Sequence, residues 1–216
     1  MTVMINRDEQ VPRRGRPRNF DRDAVLDRAM QTFWKLGYEG ASIADLTAAM
    51  GITAQSLYAA FGSKSALYRE ALGRYRDTAG AFPARALTEE TSAVAGFERL
   101  LNEAATEYSR PRRPRGCMIS TGVLVCAAEN RDEAKHVAQL RRDTIDLFRQ
   151  RLDAAIDAGE LAPDADSAGL ARYLGAIVQG MAVQAQDGAS RDELLAIAQV
   201  AVLALKQHRR VKARRA

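Results

Sequence analysis

Between Ser42 and Tyr68, two glycines and three hydroxyl residues cut the chain into pieces too short to stand alone. Ser42, with Asp45 three residues on, has the pattern of a capping box. Gly51 ends the helix that Ser42 opens. Thr53 caps a second segment of about seven residues, Gly62 breaks it, and Ser63 caps a third. A helix that short is unstable by itself, so packed neighbours must hold it. Ile43, Leu46 and Met50 form its neighbour's inward stripe, Ile52 and Leu57 plug the core beneath it, and Ala44, Ala48 and Ala49 permit a close crossing. Two short helices joined by a tight turn at Gly51 have the dimensions of a helix-turn-helix. The second helix is left showing Ala54, Gln55, Ser56, Tyr58 and Ala59, with Phe61 turned to the core. Its free N–H groups and positive dipole end suit phosphates or base edges in a major groove.

The rest of the 216 residues also lacks alternating β-branched runs, while helical periodicity recurs. The pattern predicts an all-α chain of about nine helices, a small N-terminal domain joined to a larger one. Asp21 caps a first helix with Val25, Leu26, Ala29, Phe33 and Trp34 on one face, ended by Gly37 and Gly40. The fourth helix runs from Lys64 to about Thr78. A loop is expected near Ala81–Glu90, then a helix to Ser109, an Arg/Pro segment, and an apolar helix over Cys117–Ala128. A long helix over Asp132–Ala158, one over 164–186 and one from Ser190 to Gln207 complete the chain.

Charge is +5 overall but concentrated. Arg13, Arg14, Arg16 and Arg18 precede the helix-turn-helix. Arg110, Arg112, Arg113 and Arg115 alternate with prolines. A run of Lys206, Arg209, Arg210, Lys212, Arg214 and Arg215 closes the chain. Apolar stretches are too short to span a membrane, no signal-peptide core is present, and two cysteines build no disulfide framework; a cytoplasmic protein is expected. Two histidines, no phosphate loop and no metal-ligand spacing argue against an enzyme, a cofactor or a metal site.

The stretch ASIADLTAAMGITAQSLYAAFGSKSALYREAL resembles the DNA-binding domain of the tetracycline-repressor (TetR) family of transcriptional regulators. The resemblance rests on Ser42, Gly51-Ile52-Thr53, Leu57-Tyr58, Phe61 and Lys64, and extends from about Phe20 to Leu72. It implies that Ser42 and Lys64 hold phosphates, that Thr53 caps the recognition helix and can reach phosphate too, that Gln55 and Ser56 face base edges, and that Tyr58 contacts the backbone. Gln suits adenine through N6 and N7. Ala59 and Ala60 depart from the aromatic or His pair of many relatives, which thins base readout. Arg14, Arg16 and Arg18 lie in a Gly-Arg-Pro-Arg context similar to an AT-hook, which reads a narrow minor groove; a basic leader that adds affinity without specificity is the alternative.

The resemblance further implies a homodimer on a palindromic operator and a small-molecule effector. The domains are then a basic arm (1–19), a DNA-binding domain (20–70), a ligand-binding and dimerisation domain (71–208) and a basic tail (209–216). Pairing would use Leu170, Tyr173, Leu174, Ile177, Val178 and Met181 with Leu194, Leu195, Ile197, Val200, Val202 and Leu203, Gly175 and Gly180 allowing close approach. Candidate pocket residues are Phe97, Leu101, Tyr108, Met118, Thr121, Phe148, Tyr173 and Gln184, and the effector expected is neutral or weakly polar. Cys117, read as the start of a helix beside four arginines, is a candidate thiol sensor or a small core residue. Cys126, nine residues on, would fall on the opposite helix face. A sequence-blind architectural DNA binder is the remaining alternative.

Overall fold

A computed structural model describes residues 20–210. They form helices α1 (Arg22–Gly40), α2 (Ile43–Met50), α3 (Ala54–Phe61), α4 (Lys64–Asp77), α5 (Phe82–Glu89), α6 (Ala93–Tyr108), α7 (Arg131–Asp157), α8 (Ser167–Gln186) and α9 (Arg191–Lys206), with a single 3-10 turn at Ala128–Asn130. The expected all-α class holds. Extended pairing among the described residues is limited to one isolated bridge, Leu161 with Arg209.

The helix starts lie where the caps place them. Asp21 accepts from the N–H groups of Asp23 and Ala24. Ser42 and Ser190 build capping boxes with Asp45 and Glu193. Gly37, at φ 72, interrupts α1 near its end, and Gly51, at φ 69, closes α2 in the left-handed region.

Two segments differ from expectation, in opposite senses. The loop expected near Ala81–Glu90 is helix α5, which starts with Pro83 in its first turn and buries Phe82, Ala86 and Leu87. The apolar helix expected over Cys117–Ala128 is a series of irregular turns up to the 3-10 turn. Its β-branched residues favour helix weakly. Arg141 of α7 takes the carbonyls of Ile119 and Gly122 at 3.0 and 2.8 Å, diverting them from a helical ladder. Gly116 lies so close to α8 that a Cβ there would sit 2.6 Å from the Ala182 carbonyl.

Two anchors join the DNA-binding helices to the larger domain. Glu133, at the start of α7, is a buried carboxylate. It accepts from the Ser65 hydroxyl at 2.6 Å and from the Arg69 guanidinium at 2.9 and 3.2 Å, both on α4. Glu39, near the end of α1, accepts from the Ala127 N–H at 2.7 Å and the Asn130 amide at 2.9 Å.

The last two helices split their apolar residues between two faces. Leu170, Leu174, Val178, Met181, Leu194 and Val202 are buried within the protomer. Tyr173, Ile177, Leu195 and Ile197 are half-buried, while Val183, Val200 and Leu203 are exposed at 44%, 65% and 63%. Gly175 faces inward, against Ile145 of α7, whereas Gly180 faces open space. Only half of the expected pairing residues are therefore available to a partner.

Candidate DNA-reading face and effector cavity

Leu46, Met50, Leu57 and Phe61 are buried and fix α2 against α3. Arg28 of α1 donates to the Met50 carbonyl at 3.2 Å, satisfying the end of α2. Three helix N-termini then carry capping hydroxyls. Ser42 accepts from the Asp45 N–H at 3.0 Å, Thr53 from the Ser56 N–H at 3.1 Å and Ser63 from the Ala66 N–H at 3.0 Å. Each cap leaves neighbouring N–H groups of its helix for an anion.

On α3, Gln55 is exposed and Tyr58 is 48% exposed. Ser56 is half-buried, and its hydroxyl accepts from the Thr53 hydroxyl at 3.0 Å, so it braces the cap as well as facing outward. Phe61 is core, with the Arg22 guanidinium 4.6 Å from its ring centroid. Lys64 opens α4 with its ammonium 4.6 Å from the Tyr38 ring centroid. Its burial there lowers its pKa, with Glu39 opposing. Arg14, Arg16 and Arg18 lie outside the described residues.

The far end of α4 reaches a small, partly open cavity of about 60 Å³. Its walls include Tyr75 of α4, Tyr108 of α6, Arg141 and Phe148 of α7, Val178 of α8, and Cys117. Burial pushes the Tyr75 and Tyr108 hydroxyls well above the usual phenol range, as does the adjacent Cys117 thiol. Both stay protonated. Cys117 also accepts from the Ser120 N–H at 3.4 Å.

Of the expected pocket residues, Tyr108 and Phe148 line this cavity, as does Cys117. Phe97 and Leu101 stand behind it in the core, Phe97 edge-on to Phe148 at 5.4 Å. Met118 is buried beside the lining residues Cys117 and Ile119 but does not itself line the cavity. Thr121 donates to the Cys117 carbonyl and accepts from Gln186. Tyr173 and Gln184 fall on the outward side of α8. Cys117 does not start a helix, so no helix dipole acts on its thiol. The opposite-face argument about Cys126 lapses for the same reason; both thiols are free. Tyr75 and Arg141 were not anticipated. Their helical spacing marks them only as inward-facing, and the cavity is made by segments distant in sequence.

Residues 25–71 match the family model for bacterial regulatory proteins of the tetR family, and residues 94–197 a tetracyclin repressor-like C-terminal domain. The chain is 37% identical over 191 residues to the HTH-type transcriptional repressor ComR of Escherichia coli K12, covering 86% of this chain and 89% of that one. It is 28% identical over 205 residues to the repressor BdcR of the same organism, covering 94% and 98%. Among solved structures, a cysteine-substituted CifR, a TetR family regulator complexed with a 26-bp operator duplex, superposes with a TM-score of 0.85 at 42% identity. That match covers 88% of this chain and 99% of CifR. A TetR regulator from Chloroflexus aurantiacus, at 22% identity and a TM-score of 0.74, shares the fold. A three-helix reading head with a helical domain behind it defines a helix-turn-helix DNA-binding protein. The chain belongs to the TetR family, and it is a DNA-binding transcriptional regulator.

Proposed function

We propose that the chain is a homodimeric repressor that holds a palindromic operator and releases it when a small molecule enters the α4–α8 cavity. The observation that carries this reading is α4. One 14-residue helix begins at Lys64, directly after the α3–α4 turn, and carries Tyr75 into the cavity wall. A change in the cavity that shifts α4 moves the reading head as a body, altering the separation of two recognition helices in a dimer.

In this reading Ser42, Thr53 and Lys64 hold phosphates, Gln55 and Ser56 meet base edges, Tyr58 uses its hydroxyl on the backbone, and the arginine arm adds minor-groove contacts. The exposed face of α8 and α9 pairs the subunits. The effector is compact and mostly apolar, with one polar group for Tyr75, Tyr108 or Arg141, and the protein works in the cytoplasm as a regulator rather than a catalyst. Among the described residues no helix is long and apolar enough to cross a membrane. The test is selection of a palindrome from random DNA, then a screen of small molecules by fluorescence anisotropy on that duplex. Saturable, sequence-specific binding lost on adding a ligand is expected. Length-dependent, sequence-blind binding would overturn it.

A second reading is favoured by one observation: Cys117 lines the same cavity as the two tyrosine hydroxyls. An electrophile entering there would meet a thiol between proton donors and release the operator by covalent attachment. Operator binding by wild type and Cys117→Ser is compared before and after an alkylating agent; identical responses would end this reading.

A further inference from the structure

A second, larger depression lies between the DNA-binding helices and the arginine-proline loop. It measures about 790 Å³ and is lined by Arg28 and Lys35 of α1, Asp45 of α2, and Arg112, Arg113 and Arg115 of the loop, the alanines of α2 leaving it open. We propose that this groove is a site for a free anion carrying two or more phosphate groups, held between the two domains.

Five cations meet one carboxylate there, a clear positive excess, and that carboxylate is oriented by its own helix cap. Asp45 accepts from the Ser42 N–H at 3.0 Å and from its hydroxyl at 2.5 Å. Arg113 pairs with Glu107 at 3.3 Å. Arg28 donates to the Met50 carbonyl, and Arg115 to the carbonyls of Ala185 and Ala189. Carbonyls orient a guanidinium but cancel none of its charge. Among the described residues, Lys35 and Arg112 have no ion pair. Like charges gathered in an open groove build a positive potential that an anion relieves.

The backbone adds an independent sign. Arg112 stands at φ 64, in the left-handed region. A non-glycine residue is disfavoured there, and such outliers cluster where function holds them. Guanidinium forks match phosphate oxygens in pairs, and cations spread along a groove suit linked phosphates better than a single ion. The room is within the range of small-molecule sites, roughly 300–1,000 Å³. Phosphates could also come from the operator backbone; cations supplied by α1 on one side and by the arginine-proline loop on the other favour a free anion held between them.

The test is calorimetric titration of the full chain, without DNA, with inorganic triphosphate, and with orthophosphate and sulfate at matched ionic strength. Wild type is expected to bind one triphosphate per chain and the single-charge-centre ions far more weakly. Lys35→Ala/Arg112→Ala, at two exposed positions, should weaken triphosphate at least about tenfold by removing two charge-assisted contacts. Arg149→Ala/Arg172→Ala removes the same charge elsewhere and should bind as wild type. Absence of saturable binding overturns the proposal, as does equal weakening in both double variants. A parallel salt titration on operator separates the sources. If the groove variant lowers the operator salt slope by about two phosphates while wild type binds no triphosphate, the groove serves the DNA backbone and the free-anion site falls.

Discussion

In the proposed reading, base recognition turns on Gln55. It is exposed on α3, among alanines that offer a methyl but no donor. A two-point contact to adenine is worth roughly 1–3 kcal/mol of discrimination. Gln55→Ala is therefore expected to weaken operator binding about 5- to 150-fold while leaving non-specific binding and the melting temperature nearly unchanged; anisotropy on operator and scrambled duplexes measures both. Thr53 behaves differently because its hydroxyl closes the turn from within. Thr53→Ala removes the acceptor for the Ser56 N–H and for no other backbone group, and should cost about 1 kcal/mol of stability in urea unfolding. Loss of affinity without loss of stability would show that Thr53 acts on DNA alone.

Among elements, the joint between α4 and α7 carries the most weight. Glu133 gathers Ser65 and Arg69 onto one buried carboxylate. Glu133→Gln keeps the shape but loses the ion pair, and should lower stability by about 1–3 kcal/mol. Faster hydrogen exchange confined to α4 is the accompanying sign of a loosened joint; unchanged exchange there would count against its role. The joint between the end of α7 and the start of α6 is expected to respond to acid. Burial alone would raise the Glu160 pKa, but the Ser92 hydroxyl and the N–H groups of Val94 and Ala93 outweigh it and hold the carboxyl below its usual range. A carboxyl lowered by folding stabilises above its unfolded pKa, and the stabilisation fades as pH falls through the folded value. The stability gap between wild type and Glu160→Gln should thus be full at neutral pH and shrink below about pH 4, as followed by urea melts across pH.

The same elements show where sequence suffices. The starts of α2, α3, α4 and α9 were legible because a cap and the N–H it serves lie three residues apart. The segments 82–89 and 117–127 were not. Pro83 reads as a breaker until Phe82, Ala86 and Leu87 are seen to bury together. Cys117–Ala128 reads as helix until Arg141 and Ala182, distant in sequence, claim its backbone and its space. Likewise α8 carries apolar residues on more than one face, so periodicity could not tell Leu174, which faces the core, from Tyr173, which faces outward. The helix-turn-helix, local in sequence, was legible as a unit; of the residues expected to line a pocket, Tyr108 and Phe148 alone line this cavity.

For the whole molecule, the outward face of α8 and α9 leaves Val200 and Leu203 more than half exposed. Val200→Glu should place two like charges across a two-fold interface and shift the protein to monomer, seen by sedimentation, with operator affinity falling accordingly. A variant that stays dimeric would place the interface elsewhere.

The cavity beside Tyr75 has a consequence for how occupancy would be seen. Trp34 is the chain's one tryptophan. Its ring meets Tyr75 edge-on at 4.9 Å, and its indole N–H is buried without a hydrogen-bond partner. Tyr75 is thus shared between a fluorophore and the cavity wall. A molecule that pushes on the tyrosine should change the emission of the indole, so the protein carries an intrinsic optical reporter. If the cavity must widen from 60 Å³ to admit its guest, the rate of that change should level off at high ligand concentration, set by opening rather than collision.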